Sequence, residues 1–312
     1  MKKAGIALAA VLVLYFILSV AGSIFIMRVP RLSVNTTPAA VGLAYDNVSF
    51  PSRGDGVSLK GWYLPGQGHS IVIVVHGGYQ NRLDDNVDTL GLARDLIQRG
   101  YDILLFDLRG RGESAGTAHA LMNFQQDIGG AVDFAGSKGY LRDNIGIIGF
   151  CSGAISTCIY AGEKDDVGAI VLDGCSTTVR NMVYAQAKDR GIPKFLVSIF
   201  MPGLTSLTKL FYHYHEVDPI DVIANVNCPI FFIHEEKDNF VSRAEMSRLF
   251  SVSKNPANQI WEIANALHSQ GYRENPLQYI DHLDGFFTST LINDSTLIGQ
   301  NDLFHQVSIL AP

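Results

Sequence analysis

Ile145-Gly-Ile-Ile-Gly-Phe-Cys-Ser-Gly153 decides the fold. An apolar, β-branched run leads into Gly149-Phe150-Cys151-Ser152-Gly153, the frame G-x-S-x-G with cysteine at its centre. Such a frame ends a strand in a sharp turn ahead of a helix and throws the central side chain outward. The flanking glycines are required because side chains there would collide across the turn. The helix N-terminus beneath the turn favours negative charge, so a thiol at Cys151 is expected to form the thiolate readily. The pentapeptide also admits plainer readings. Cys151 could be a small buried hydrophobe. Ser152 could be the nucleophile instead, although that register sets Phe150 and Ala154 where the turn needs small residues.

Outward from this stretch, short apolar runs alternate with helical spacing. Strands are expected around Val48–Phe50, Val57–Leu64, Ile71–Val75, Ile103–Phe106, Ile145–Phe150, Val167–Leu172, Ile230–His234 and Ile260–Ile263. Helices are expected over Asp88–Arg99, Phe124–Ser137 and Pro276–Thr288. This alternation predicts an α/β fold, a mostly parallel, doubly wound sheet covered on both faces. Ligands of such sheets bind outside the carboxyl ends of the strands.

Chemistry collects at those ends. His76-Gly77-Gly78-Tyr79 follows one strand, Asp107-Leu-Arg-Gly-Arg-Gly-Glu-Ser114 the next, and the Cys151 elbow the third. Glu235-Glu-Lys-Asp238 and Ala266-Leu-His268-Ser follow the last two. Nucleophile, acid and base thus come in one chain order, Cys151, Asp238, His268. Asp173 is the alternative acid. His282 is a weaker base, since it falls in an expected helix. Asp238 could also merely cap a helix starting near Ser242. Between Leu172 and Ile230 the chain is too long for a plain crossover. We expect a small helical cap over about 178–225, with ordinary surface helices as the alternative.

HGG, DLRGRGES, GFCSG, EKDNFV and LHSQGY at these spacings resemble the α/β-hydrolase superfamily over roughly residues 45–290. DGVSLKGWYLP and DPIDVIANVNCPIFFIHEEKD are most similar to its serine-aminopeptidase or acyl-esterase branch. The resemblance implies Cys151 as nucleophile, Asp238 as orienting acid and His268 as base. It also implies an oxyanion hole from the amides of Ser152 and of Gly78 or Tyr79, and a bracing role for Asp107 and Arg109. Two departures stand out within the fold: cysteine at the elbow, and His-Glu-Glu-Lys-Asp where the family commonly has His-Gly. Dienelactone hydrolases and bile-acid-CoA:amino-acid N-acyltransferases of the same superfamily use cysteine there. The implied activity is therefore cleavage of carboxylic esters, lactones or thioesters through a thioacyl enzyme. The alternatives are acyl transfer from the same intermediate, or a catalytically weak binding or scaffold protein.

The N-terminus reads as a separate object, outside the fold. Lys2-Lys3 precedes Ala4–Met27, which carries no charge, and Arg28 and Arg31 follow. That run makes about 36 Å of helix, enough for a hydrocarbon core of about 30 Å. A single-pass anchor through residues 4–27 is expected; a cleaved signal peptide is the alternative. The short leading tail favours an extracytoplasmic catalytic domain. We divide the chain into an anchor (1–31), a linker (32–44), the hydrolase domain (45–290) and a C-terminal tail (291–312). The net charge of −6 becomes −10 once the basic anchor is set aside, so no surface for nucleic acid is expected. The four cysteines Cys151, Cys158, Cys175 and Cys228 form no CxxC pair. His213 and His215 lack an evident third ligand. Neither metal nor cofactor is expected, and the partner is a small-molecule or acyl substrate. Sequons stand at Asn35, Asn47 and Asn293.

Overall fold

Ile71–Val75 reads IVIVV, and all of it is buried, which suits only a strand covered on both faces. In the computed structural model, which describes residues 2–117, 119, 124–212 and 217–291, this run is the third of eight strands. They are β1 (Asp46–Pro51), β2 (Ser58–Leu64), β3 (Ile71–Val75), β4 (Asp102–Phe106), β5 (Ile145–Phe150), β6 (Ala169–Asp173), β7 (Ile230–Glu235) and β8 (Gln259–Ile263). The order across the sheet is β1-β2-β4-β3-β5-β6-β7-β8. β1–β2 and β2–β4 are antiparallel, and every other pairing is parallel.

The helices are α1 (Lys2–Met27), α2 (Thr89–Gln98), α3 (Phe124–Ser137), α4 (Ser152–Glu163), α5 (Val179–Asp189), α6 (Lys194–Tyr212), α7 (Pro219–Val222), α8 (Arg243–Val252), α9 (Gly271–Glu274) and α10 (Pro276–Thr290). The two-residue period of β3 divides the core. Ile71, Ile73 and Val75 pack with Ile128 of α3 and Ala154 and Ile155 of α4. Val72 and Val74 pack with Leu92 of α2 and Ile280 and Leu283 of α10. Each such aliphatic side chain contributes about 1.5–3 kcal/mol on burial.

Chain direction across the sheet reverses at β3, which sits between β4 and β5. The crevice therefore opens between the carboxyl ends of β3 and β5. The HGG loop and the Cys151 elbow lie at those two ends. Between β6 and β7 stand α5, α6 and α7, the inserted helices expected over 178–225. His213 and His215, the sequon at Asn293 and the tail from 292 lie outside the described residues.

Residues 32–44 pack on the domain. Asn81 Nδ2 donates to the carbonyls of Leu32 and Ser33 at 3.2 Å, Pro38–Val41 form a 3-10 turn, and Val34, Val41 and Leu43 pack on the core. α1 packs on the fold too, because its second half lies on α6. The Tyr15 ring stacks on Phe200 at 5.6 Å, and Tyr15 donates to the Ile199 carbonyl at 3.3 Å. A Cβ on Gly203 would stand 2.8 Å from Ser19 Cβ, so only glycine allows the two helices this approach. Both arrangements come from tertiary packing, to which composition and hydropathy are blind.

Candidate active site

Cys151 ends β5 at φ 54°, ψ −118°, a conformation that non-glycine residues hold only where the surroundings over-determine it. Here they do. The Cys151 amide donates to the Asp173 carbonyl at 3.0 Å, and its carbonyl accepts from Ala154 and Ile155. A Cβ on Gly149 would come within 2.7 Å of the Ala154 backbone, and one on Gly153 would strike the Val75 and His76 carbonyls. Both glycines of the frame are thus sterically required. Cys151 is partly exposed and lines the cavity; Cys158, Cys175 and Cys228 are buried. Ser152 is the first residue of α4, 3% exposed, and its buried hydroxyl makes no hydrogen bond. The turn therefore presents Cys151 rather than Ser152.

The His76 side chain fixes the HGG loop. Its Nε2 accepts from the Leu108 amide at 3.1 Å, which assigns the proton to Nδ1, and Nδ1 donates to the Gly77 carbonyl at 2.7 Å. Burial, with the Arg111 and Arg82 charges, pushes its pKa down to about 3, so the ring stays neutral. The loop runs hard against the elbow, where a Cβ on Gly78 would lie 2.6 Å from Ser152 Oγ. The amides of Gly78, Tyr79 and Ser152 make no hydrogen bond within the described residues. All three residues line the same cavity as Cys151.

Asp238 and His268 meet. His268 Nδ1 and Asp238 Oδ2 are 2.7 Å apart, the Asp238 side chain is fully buried and His268 is 14% exposed. Asp238 Oδ1 accepts from the Phe240 and Val241 amides at 2.6 and 2.9 Å, which fixes the carboxylate. It does not cap α8; Ser242 does that, with Glu245 completing a capping box. Burial opposes charge on His268, yet the Cys151 side chain beside it and the Asp238 carboxylate lift its pKa well above the ordinary value. Its Nε2 is buried and has no partner other than the neighbouring Cys151 side chain among the described residues. His282 and Asp173 have other partners. His282 stacks on Trp261 with ring centres 4.1 Å apart, and Asp173 Oδ2 accepts from the Tyr279 hydroxyl at 2.6 Å.

Glu235, the last residue of β7, had no assigned role in the sequence reading. It is 0% exposed, and its carboxyl faces that of Asp173, with no other hydrogen-bond partner among the described residues. Burial raises the pKa of both acids, and the Asp173 charge raises Glu235 further. The sequence signal was present: an acid stands in the strand where the family commonly has glycine. Glu235, Asp238 and His268 also present possible ligand atoms within 4.8 Å of one another. Two of those three groups, Asp238 and His268, are already hydrogen-bonded to each other.

This pair yields a stability prediction. Glu235 takes up a proton on folding, so wild-type stability falls as pH rises from the ordinary value of 4.5 through the raised folded value. Glu235→Gln, neutral at every pH, is expected to melt higher than wild type at pH 8. The gap should close below pH 4.5. Thermal melts across that range check it; an unchanged pH profile would mean Glu235 is ionised in the fold.

A family model described as the alpha/beta hydrolase fold matches residues 70–196. That segment carries the HGG loop, the bracing loop and the elbow. Over that segment the chain is similar to α/β-hydrolases. YqkD of Bacillus subtilis is 26% identical over 248 residues, covering 77% of this chain and 78% of the relative. YfhR of Escherichia coli K12 is 22% identical over 252 residues, covering 75% of this chain and 80% of that protein. Among solved structures, the Pyrococcus furiosus esterase Pf2001 superposes with TM-score 0.72 at 21% identity, over 86% of this chain and 99% of that one. The Asp107–Ser114 loop is held by an ionic cluster. Arg109 pairs with Asp127 at 2.7 Å and Asp55 at 2.6 Å, and Asp107 accepts from the Arg82 and Glu113 amides at 2.9 and 2.8 Å. The cluster holds the loop that packs behind the elbow, and none of these residues lines the cavity.

Proposed function

We propose that this α/β-hydrolase is membrane-anchored and cleaves carboxylic esters or thioesters through a Cys151–His268–Asp238 triad. The observation that carries it is the 2.7 Å His268–Asp238 pair, seated at the cavity into which the strained elbow presents Cys151. In this reading the Cys151 sulfur attacks the acyl carbon, its proton residing on His268. The negative oxygen collects at the amides of Ser152 and of Gly78 or Tyr79. The carbon–oxygen or carbon–sulfur bond to the leaving group breaks as His268 returns the proton to it. Water then attacks the thioester, passes its proton to His268, and releases the acid and the thiol. Asp238 holds the imidazole tautomer throughout. Anchoring is supported by Lys3–Phe25, a helical stretch of mean hydropathy 2.6 with apolar side chains such as Ile6, Leu12 and Phe16 exposed.

The test is turnover of p-nitrophenyl and acyl-CoA esters by the full chain, with rapid acid quench and mass measurement of the intact protein. Expected are turnover and an acyl adduct on Cys151. Turnover with the adduct on Ser152, or no turnover of any ester, overturns the reading. Added amine that diverts the acyl group from water would identify acyl transfer.

A further inference from the structure

The cavity that holds Cys151 has a volume of about 500 Å³, and its wall is largely apolar, with Met182, Val183 and Leu267 among its lining residues. Part of that wall is unusual in origin. Met27 comes from α1, and Met201 and Leu204 come from α6. The helix that carries the membrane-spanning stretch is therefore also a wall of the reaction chamber.

α6 is itself suited to lipid. From Phe195 to Thr208 it carries no charged side chain, about 21 Å of helix bounded by Lys194 and Lys209. One face, Val197, Met201, Leu204 and Leu207, is buried. The opposite face is also apolar and faces out: Phe195 is 63% exposed, Ile199 53% and Leu210 68%. α1 exposes apolar side chains too, among them Ile24 at 44% and Phe25 at 66%. The helices cross closely at small residues: Gly203 meets Ser19, Gly22 meets Leu204, and Ser23 Oγ reaches the Leu204 carbonyl at 3.5 Å. Small residues that let backbones approach are the way helices pack in lipid. Contacts run from Tyr15 to Ser23, the half of α1 nearer the catalytic domain. The segment of α6 that touches them sits at the same depth. At the domain end the Arg190 guanidinium lies over the Phe25 ring at 5.6 Å, a cation at the level expected of lipid headgroups.

We propose that the outward face of α6 is embedded in the domain-proximal leaflet beside α1, and that the cavity takes acyl-ester lipids from that leaflet between the two helices. This deepens the hydrolase reading and rests on it. The substrate class becomes esters whose acyl chain resides in the bilayer. The chain enters along Met27, Met201 and Leu204 and delivers its carbonyl to Cys151, while the headgroup stays at the level of Arg190.

The test uses full-length protein in phosphatidylcholine vesicles. Two substrates are compared, soluble p-nitrophenyl acetate and a fluorogenic long-chain ester dissolved in the bilayer. The variant Phe195→Asp/Ile199→Asp changes only exposed residues that do not line the cavity. Hydrolysis of the soluble ester is expected to stay within about twofold, as for ordinary surface changes. Hydrolysis of the bilayer ester is expected to fall at least about tenfold, because aspartates resist insertion into lipid. Independently, Phe195→Trp is expected to add fluorescence that brominated phosphatidylcholine quenches. Equal loss on both substrates, no loss on either, or no quenching overturns the proposal. If size measurements then show a dimer that the double aspartate dissociates, the face belongs to a second copy of the chain. Flotation with vesicles and wild-type turnover of the soluble ester are read first. Their failure would strike the anchoring or hydrolase reading, not the route of entry.

Discussion

Cys151→Ala is expected to abolish ester turnover, with kcat falling by about 10⁴-fold or more, the scale seen when a triad nucleophile is removed. That is at least about 5.5 kcal/mol of lost transition-state stabilisation. The fold should survive. Alanine at φ 54° bears the same backbone strain as cysteine, and the turn is held by backbone bonds to Asp173, Ala154 and Ile155 that the substitution leaves in place. Melting temperature and circular dichroism should therefore match wild type. Ser152→Ala is the control. Its buried hydroxyl has no hydrogen-bond partner, so removing it should leave kcat within a few-fold. The opposite pattern, an active alanine at 151 and a dead one at 152, would shift the nucleophile by one residue.

Asp238→Asn is expected to cost about 10⁴-fold in kcat with KM little changed, as when a triad aspartate becomes an amide. Asparagine can still occupy the pocket and accept from the Phe240 and Val241 amides. Its amide group facing His268 Nδ1, however, would stabilise the tautomer with the proton on Nε2, which cannot accept one from the thiol. The thiol should also be alkylated by iodoacetamide more slowly at neutral pH in this variant and in His268→Ala. Asp173→Asn is the comparison. It touches Tyr279 rather than His268, so its effect should fall on stability more than on kcat. Collapse of kcat in Asp173→Asn alone would move the acid to β6.

Much of this site could be read from the chain because its determinants are local. The IVIVV run, the glycines at 149 and 153 and the order of Cys151, Asp238 and His268 each follow from backbone sterics or strand ends. Strand limits differed by a residue or two where burial continues into the turn, as at Asp173 and Glu235. What could not be read depends on contacts between distant segments. Nothing near Ser19 announces Gly203, and nothing near Leu32 announces the Asn81 amide that holds it. The acid at Glu235 was visible as an oddity, but its partner Asp173 lies on a different strand. Hydropathy marked α1 as apolar without showing that Met27 lines the cavity that holds Cys151.

Burial of the thiols gives this protein a built-in gauge of its own integrity. Of four cysteines, Cys158, Cys175 and Cys228 are sealed in the interior and Cys151 stands at the surface of the cavity. A chromogenic disulfide reagent should titrate one sulfhydryl in the native protein and all four once the sheet opens. The count separates loss of the elbow from loss of the fold in any variant, before a substrate is known.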